Sequence, residues 1–156
     1  MSDTKLQSIM KAIGDRLKTI RTANDYRTEI GSNVFWHHPN PVEYGKNLVN
    51  MTDSNRDIQK KNLAHVSELT VSIDIYIFAT SAQLATDPYY LGMTSSNADA
   101  DAIEAIGVDD TFGNLSTLTN LISSENGVEL EGKNCIKRCL TLEINYMTTL
   151  WGNSET

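Results

Sequence analysis

The sequence predicts an α+β protein with a mainly antiparallel sheet of long strands and with helices packed on one face of that sheet. Two stretches of the 156-residue chain alternate between apolar and polar residues, and a third repeats apolar residues at helical spacing. Successive side chains of a strand point to opposite faces, so alternation predicts strands with one dry and one wet face. In α+β proteins, helices cover the dry face of such a sheet.

The N-terminal segment, residues 3–22, is predicted to be an amphipathic helix. Its apolar residues follow the i, i+3, i+4, i+7 spacing that forms one stripe along a helix. The stripe consists of Leu6, Ile9, Met10, Ile13, Leu17 and Ile20. Asp3 or Ser2 is expected to cap the first turn, and Lys18 and Arg21 favour the C-terminal end through the helix dipole.

Two short strands are predicted at residues 33–36 and 48–51, with an extended loop at 36–46 between them. The sequence HHPNP at 37–41 contains two prolines, which disfavour helix and lack a backbone N–H. The polar run at 52–61 is predicted to be a second extended loop, which leads into the first long strand.

The first alternating stretch, residues 64–78, is predicted to be an unusually long strand. Its apolar face consists of Leu69, Val71, Ile73, Ile75 and Ile77, and its polar face of Glu68, Thr70, Ser72 and Asp74. At about 3.3 Å per residue this strand would span roughly 50 Å, more than a domain of this size needs for its core. We therefore expect it to extend past the core toward a neighbouring molecule.

The next region is predicted to form a helical turn at residues 79–86 and then, after a break, a helix at 98–106. Ser95 or Ser96 offers the N-cap of that helix, and Gly107 is expected to end it. The residues expected to face inward are Ile103 and Ile106.

The C-terminal part is predicted to be a β-hairpin. Residues 115–122 are compatible with helix or strand, and we favour strand because residues 131–134, EGKN, are typical of a tight turn. The second alternating stretch follows that turn. Its apolar face consists of Ile136, Leu140, Leu142, Ile144 and Tyr146, opposite Lys137, Thr141, Glu143 and Asn145. Residues 151–156 are expected to be a C-terminal tail.

Composition and charge predict a single domain, residues 1–156, without a nucleic-acid-binding surface. Twenty acidic residues against thirteen basic ones give a net charge of −7, whereas neutralising phosphates requires clustered lysine and arginine. No apolar run is long enough for a membrane span, and the first residues do not resemble a signal peptide. We therefore expect synthesis in a cytoplasm and no membrane partner.

The residue types that support catalysis or metal binding do not form a recognisable pattern. The adjacent His37 and His38 would point to opposite sides of an extended chain, and no ligand stands at metal-binding spacing from them. Cys135 and Cys139 would lie about 13 Å apart on one face of a strand, too far for a disulfide, so free thiols are expected. The acidic residues at 99, 101, 109 and 110 fit a helix N-terminus and a turn. We expect no catalytic site, no metal and no cofactor.

Aromatic and basic residues at the ends of the predicted elements are candidates for contact with partners. The candidate interface residues are Trp36, His37, His38, Tyr44, Arg56, Lys60, Arg138, Thr148 and Trp151. Aromatic anchors commonly bury into partners, although core packing explains the two tryptophans equally well. Arg138 falls on the otherwise apolar face of its strand, or else at the wet end of that strand.

The order of these parts resembles the tail terminator proteins of long-tailed bacteriophages, such as that of phage lambda. The resemblance rests on residues 17–26 (LKTIRTANDY), 31–36 (GSNVFW), 69–78 (LTVSIDIYIF), 101–109 (DAIEAIGVD) and 140–149 (LTLEINYMTT). It implies a virion protein at the head-proximal end of the tail. Such a protein forms a hexameric ring that caps the tail tube, stops its polymerisation and joins the head-completion (neck) proteins, without a cofactor.

The resemblance also implies that DNA passes through the lumen of the ring without specific binding. A head-to-tail ring needs two different, complementary surfaces on each subunit, and long strands that leave the core could supply one. A neck or head–tail connector protein is the alternative within the same class. A small enzyme and a host-encoded binding module are remote alternatives from other classes.

Overall fold

The computed structural model describes residues 3–130 and 134–149 of the chain. The elements in chain order are α1 (Lys5–Lys18), β1 (Val34–Trp36), α2 (Pro41–Tyr44), β2 (Leu48–Lys61), β3 (Ala64–Phe78), α3 (Ser81–Thr86), α4 (Tyr90–Gly107), β4 (Leu118–Glu129) and β5 (Cys135–Thr149). The five strands form one sheet in the order β1-β2-β3-β5-β4, and all neighbouring pairs are antiparallel except β1 and β2. The predicted α+β fold with long antiparallel strands is confirmed.

The two alternating stretches form the centre of the sheet. β3 and β5 are each 15 residues long and pair along their whole length, from Ala64 opposite Thr149 to Phe78 opposite Cys135. The apolar residues of both strands face α1 and α4 and are buried with the apolar stripe of α1. Period-two alternation predicted these strands correctly because each of them buries one face and leaves the other polar.

Two boundaries in α1 differ from the prediction. Thr4, rather than Asp3 or Ser2, is the N-cap: its hydroxyl accepts a hydrogen bond from the backbone N–H of Gln7, and the Gln7 side chain accepts one from the N–H of Thr4. This reciprocal arrangement is a capping box. The helix ends at Lys18, and residues 22–24 form a separate 3₁₀ turn that ends at Asp25 in the left-handed region.

The predicted loop at residues 52–61 is wrong, because this segment continues β2 and pairs with β3 to the end of the hairpin. Its polar composition misled the prediction. In this part of β2 both faces of the strand are exposed, so no apolar alternation is needed, and the hydrogen bonds to β3 hold the strand in place. A β-bulge at Ser54 interrupts the register between Asp53 and Asn55.

The predicted loop at residues 36–46 contains the four-residue helix α2. Pro41 occupies its first position, where the missing N–H costs no hydrogen bond, and Gly45 ends it with φ of +73°. The helix predicted at 98–106 is also longer than expected, because α4 begins at Tyr90. Ser95 is therefore inside the helix and fully buried, while Gly107 ends the helix as predicted.

The C-terminal predictions are confirmed for the strands. Residues 118–129 form β4, so the strand that we favoured for 115–122 is present from Leu118 onward. Of the two isoleucines expected to face inward from α4, Ile106 is buried and Ile103 is exposed at the rim. Residues 131–133 of the turn predicted at 131–134, and the predicted tail at 151–156, lie outside the described residues.

The face of the sheet that points away from α1 and α4 is covered at one end only, within the described residues. A small cluster of Leu48, Tyr76 and Cys135 is buried there under Phe35 and Val42. Cys135 and Cys139 are free thiols, as predicted. Burial raises the pKa of each thiol to about 11, so both are largely protonated at neutral pH and weak nucleophiles.

Candidate interaction surfaces

Trp36 and His37 form a polar cluster with Asp53 at the start of the exposed part of β2. The Trp36 indole Nε1–H donates to Asp53 Oδ1 at 2.8 Å, and His37 Nε2 lies 2.7 Å from the same oxygen. The two rings stack with centroids 6.1 Å apart. His37 adopts φ of +58°, which turns the chain out of β1 and brings its ring to Asp53.

His38 and Tyr44 form an aromatic cluster with Phe35 next to this. The Phe35–His38 and Phe35–Tyr44 centroids are 4.8 and 5.3 Å apart, both edge to face. The Tyr44 hydroxyl donates to Asn33 Oδ1 at 3.0 Å, and the His38 backbone N–H donates to Asn50 Oδ1 at 2.9 Å. Four of the predicted interface residues, Trp36 to His38 and Tyr44, are thus brought together, and part of their polar capacity is used within the chain.

The environment of Asp53 gives a prediction for acid titration. Burial by itself raises the pKa of this carboxyl, but hydrogen bonds with Trp36 and His37 outweigh it and hold the pKa below the ordinary value of 3.8. A pKa lowered by folding contributes stability that is present above the ordinary value and is lost as the pH falls through the lowered pKa. Replacing Trp36 by phenylalanine removes one donor and is therefore expected to raise the pKa of Asp53.

The measurement is a ¹³C chemical-shift titration of the Asp53 carboxyl between pH 2 and 6. The matched control is Tyr44→Phe, which removes a hydroxyl from the neighbouring cluster that does not contact Asp53. An Asp53 pKa that moves equally in both variants, or in neither, would contradict the assignment of Trp36 as its donor.

Arg138 and Thr148 lie on the helix side of β5 with little surface exposed. The Arg138 guanidinium Nε–H donates to the hydroxyl of the fully buried Ser95 at 2.9 Å, so Arg138 is held beneath α4 rather than at a wet strand end. Thr148 is buried opposite His65. Trp151 lies outside the described residues.

Arg56 and Lys60 are exposed on the uncovered part of β2. The Arg56 guanidinium Nη1–H donates to the Tyr146 hydroxyl at 3.2 Å, which holds the arginine on the helix side of the sheet. Register places Lys60 on that side as well. We call the uncovered part of β2, residues 53–61, the β2 edge. It contains Arg56 and Lys60, and Ile58 lies between them.

The outer edge of β4 is apolar at one end, which the sequence pattern does not indicate. Leu118, Leu121 and Ile122 are 51%, 47% and 52% exposed there. A β-bulge between Leu121 and Ser123 breaks the alternation, which explains why the pattern was compatible with either helix or strand. A groove of about 170 Å³ lies beside β4 on the helix side of the sheet. Its lining includes Ile103 near the end of α4 and Asp110 in the loop that follows α4. We call this the β4 groove.

The face of the sheet away from the helices is polar and predominantly acidic. The register places five carboxylates on this open face and two lysines. The carboxylates are Asp57, Glu68, Asp74, Glu125 and Glu143, and the lysines are Lys61 and Lys137. Lys137 is 3.7 Å from Asp74, so its charge is partly compensated. The open face therefore carries a net negative charge.

A wide cleft of about 830 Å³ lies between the 27–33 segment and α4. Glu29 is its only carboxylate among the described lining residues. The Thr22 hydroxyl and backbone N–H both donate to Glu29, and these hydrogen bonds hold the pKa of Glu29 below its ordinary value. A carboxylate held in the charged form in this way is a poor proton acceptor at neutral pH.

Asp101 is a buried carboxylate whose role has no local signal in the sequence. It is fully buried within α4 and accepts hydrogen bonds from the backbone N–H groups of Arg27 and Thr28, at 3.1 and 2.9 Å. It also accepts from the Thr28 hydroxyl at 2.7 Å and from the Arg27 guanidinium at 3.0 Å. All of its partners lie within the chain, so Asp101 ties the 27–30 segment to α4 and has a structural role.

Across residues 3–130 and 134–149, no three histidine, cysteine or acidic side chains are grouped so that they could hold a metal ion. None of the helices in that part of the chain is long and apolar enough to cross a membrane. A scan of protein-family models finds no match to the chain, and a search of curated proteins finds no similar sequence. The surfaces themselves therefore carry the functional argument.

Proposed function

We propose that this chain is a structural subunit of a phage tail terminator. Copies of it form a ring, expected to be hexameric, that caps the tail tube, ends tube polymerisation and presents a surface to the head-completion (neck) proteins. The observation that carries the proposal is the pair of unlike exposed edges on one sheet, the polar β2 edge and the apolar β4 edge. A head-to-tail ring requires two such different surfaces on each subunit.

The strand length and the open face support the same proposal. β2 is exposed throughout from Ser54 to Lys61, so the long hairpin carries more strand than its own helices cover. The acidic open face fits a lumen through which DNA passes without being held, because like charges disfavour adhesion.

The test is to delete the gene from the virus or prophage that encodes it and to measure tail lengths by electron microscopy. A tail terminator predicts tails of uncontrolled length, restored to a single length by the wild-type gene supplied from a plasmid. Tails of normal length together with leaking or tailless heads would instead show a neck or connector protein. Normal virions would reject both.

A biochemical version uses purified components. Adding the chain to polymerising tail tube protein should shorten the tubes in proportion to the amount added, with ring-shaped density at one tube end. Adding bovine serum albumin at the same concentration is the control for nonspecific effects. Unchanged tube lengths and uncapped ends would contradict the terminator function.

A further inference from the structure

The two outer edges of the sheet are both without a strand partner over many residues. β4 pairs only with β5, and no described strand covers its other side. At the opposite edge, β1 pairs with β2 only as far as Met51, so β2 is uncovered from Asp53 to Lys61. Uncovered edges present N–H and C=O groups that pair readily with another chain.

The strand directions make these two edges compatible with each other. β2 and β5 are each antiparallel to β3, and β4 is antiparallel to β5, so β4 runs antiparallel to β2. Rotation about a ring axis leaves the direction of every strand along that axis unchanged. The β4 edge of one subunit therefore meets the β2 edge of the next as an antiparallel pair, with both helix-covered faces on the same side.

The side chains on the helix side of the two edges are complementary. The register of β2 places Arg56, Ile58 and Lys60 on that side, and Ile58 is 50% exposed. The β4 groove on the same side has an apolar lining with the carboxylate of Asp110 at its rim. An isoleucine between two basic residues thus matches an apolar groove with an acidic rim, as in complementary protein interfaces.

We infer that neighbouring subunits join by antiparallel pairing of the β4 edge with the β2 edge, with Ile58 of one copy in the β4 groove of the next. The inference rests on the proposed function, because it names the contact that a ring of this chain requires. The partner at each edge is a second copy of the same chain. The contact is heterologous, so repetition continues past a dimer and gives a ring where the rotation between subunits closes.

Cysteine cross-linking across the edges tests this contact. In a chain carrying Cys135→Ala and Cys139→Ala, one new cysteine is placed on β4 and one on β2, all on the open face. The β4 substitutions are Leu118→Cys and Asn120→Cys, and the β2 substitutions are Asn55→Cys, Asp57→Cys and Gln59→Cys. All six combinations are made because strands in a closed ring are tilted, which shifts the register between the β4 edge of one subunit and the β2 edge of the next.

No disulfide can form within one subunit, because β3 and β5 separate the two edges by three strand spacings, about 14 Å. Oxidation of at least one pair is therefore expected to give a ladder up to the ring size on a non-reducing gel. Each single-cysteine variant should give at most a dimer. Leu118→Cys combined with Arg56→Cys, which places the thiols on opposite faces, should not give the ladder.

The outcomes separate this inference from the proposed function. If light scattering shows a ring and none of the six pairs cross-links, the edge contact is overturned and the terminator function stands. If the ladder forms but tube length is not limited, the terminator function fails and the edge contact stands. A chain that stays monomeric at every concentration and on tail tubes overturns both the edge contact and the proposed ring.

A single exposed substitution provides a second readout. Ile58→Lys should raise the protomer concentration needed for assembly by about tenfold or more, since it removes an apolar side chain from the contact. Its unfolding temperature should be unchanged because Ile58 is half exposed in the monomer. The matched control is Leu63→Lys at the hairpin turn, where the side chain is 84% exposed. Assembly of Ile58→Lys at the wild-type concentration would contradict the groove contact.

Discussion

Replacing Asp101 by alanine should destabilise the protein by about 3–5 kcal/mol, because it leaves buried hydrogen-bond donors without an acceptor. The carboxylate is fully buried and accepts from two backbone N–H groups, which remain in place when the side chain is removed. Urea unfolding at neutral pH, followed by circular dichroism, measures the effect. Asp101→Asn keeps one acceptor oxygen and should have an intermediate effect.

The matched control is Glu104→Gln, one turn farther along α4. Glu104 accepts from the same Arg27 guanidinium at 2.9 Å, but its side chain is about half exposed, so water replaces the lost contact. Its unfolding midpoint should stay within measurement error of the wild type. Equal effects of Asp101→Ala and Glu104→Gln would contradict the prediction that the two backbone N–H groups need the Asp101 carboxylate as their acceptor.

Replacing Gly31 by alanine should destabilise the protein by about 3 kcal/mol through overpacking. A Cβ at this position would lie 2.7 Å from the carbonyl oxygens of Leu17 and Ile20 and 2.8 Å from that of Lys18. All three atoms belong to the backbone at the end of α1, so none of them can rotate away. The junction between α1 and the 30–32 turn must open to accept the methyl group.

Gly92→Ala in α4 is the matched control for this substitution. A Cβ there would meet no atom within 4 Å, so alanine should stabilise the helix by about 0.5–1 kcal/mol. Chemical denaturation of both variants compares them directly. A Gly31→Ala protein as stable as the wild type would contradict the close approach of the three carbonyls.

Local patterns predicted α1, β3 and β5 because each of these elements buries one face and exposes the other. The periods of 3.6 and 2 residues are then visible as apolar repeats in the sequence. The outer part of β2 has no such repeat, since both of its faces are exposed. Its strand conformation depends on pairing with β3, which is a contact between residues distant in the chain.

The candidate interface residues likewise divide into features that the sequence indicates and features that depend on contacts between distant segments. Sequence reasoning selected Arg56 and Lys60 because they are basic, but not Ile58 between them, which is exposed because it lies in the outer part of β2, where both faces of the strand are open. Arg138 was selected because it falls on the otherwise apolar face of its strand, whereas in the structure it lies under α4 and donates to Ser95. Asp101 was assigned to a helix N-terminus, since nothing local indicates that α4 begins at Tyr90, about two turns before the predicted start at residue 98.

The sequence by itself determined the α+β class, the two long central strands, the N-terminal helix and the free thiols, because periodicity and residue spacing carry that information. Only the tertiary structure decided which strand edges remain uncovered, which sheet face is acidic and which carboxylate is buried. Those properties depend on strand order and register, and hydrogen bonds between distant segments set both. The proposed ring contact follows from these long-range features.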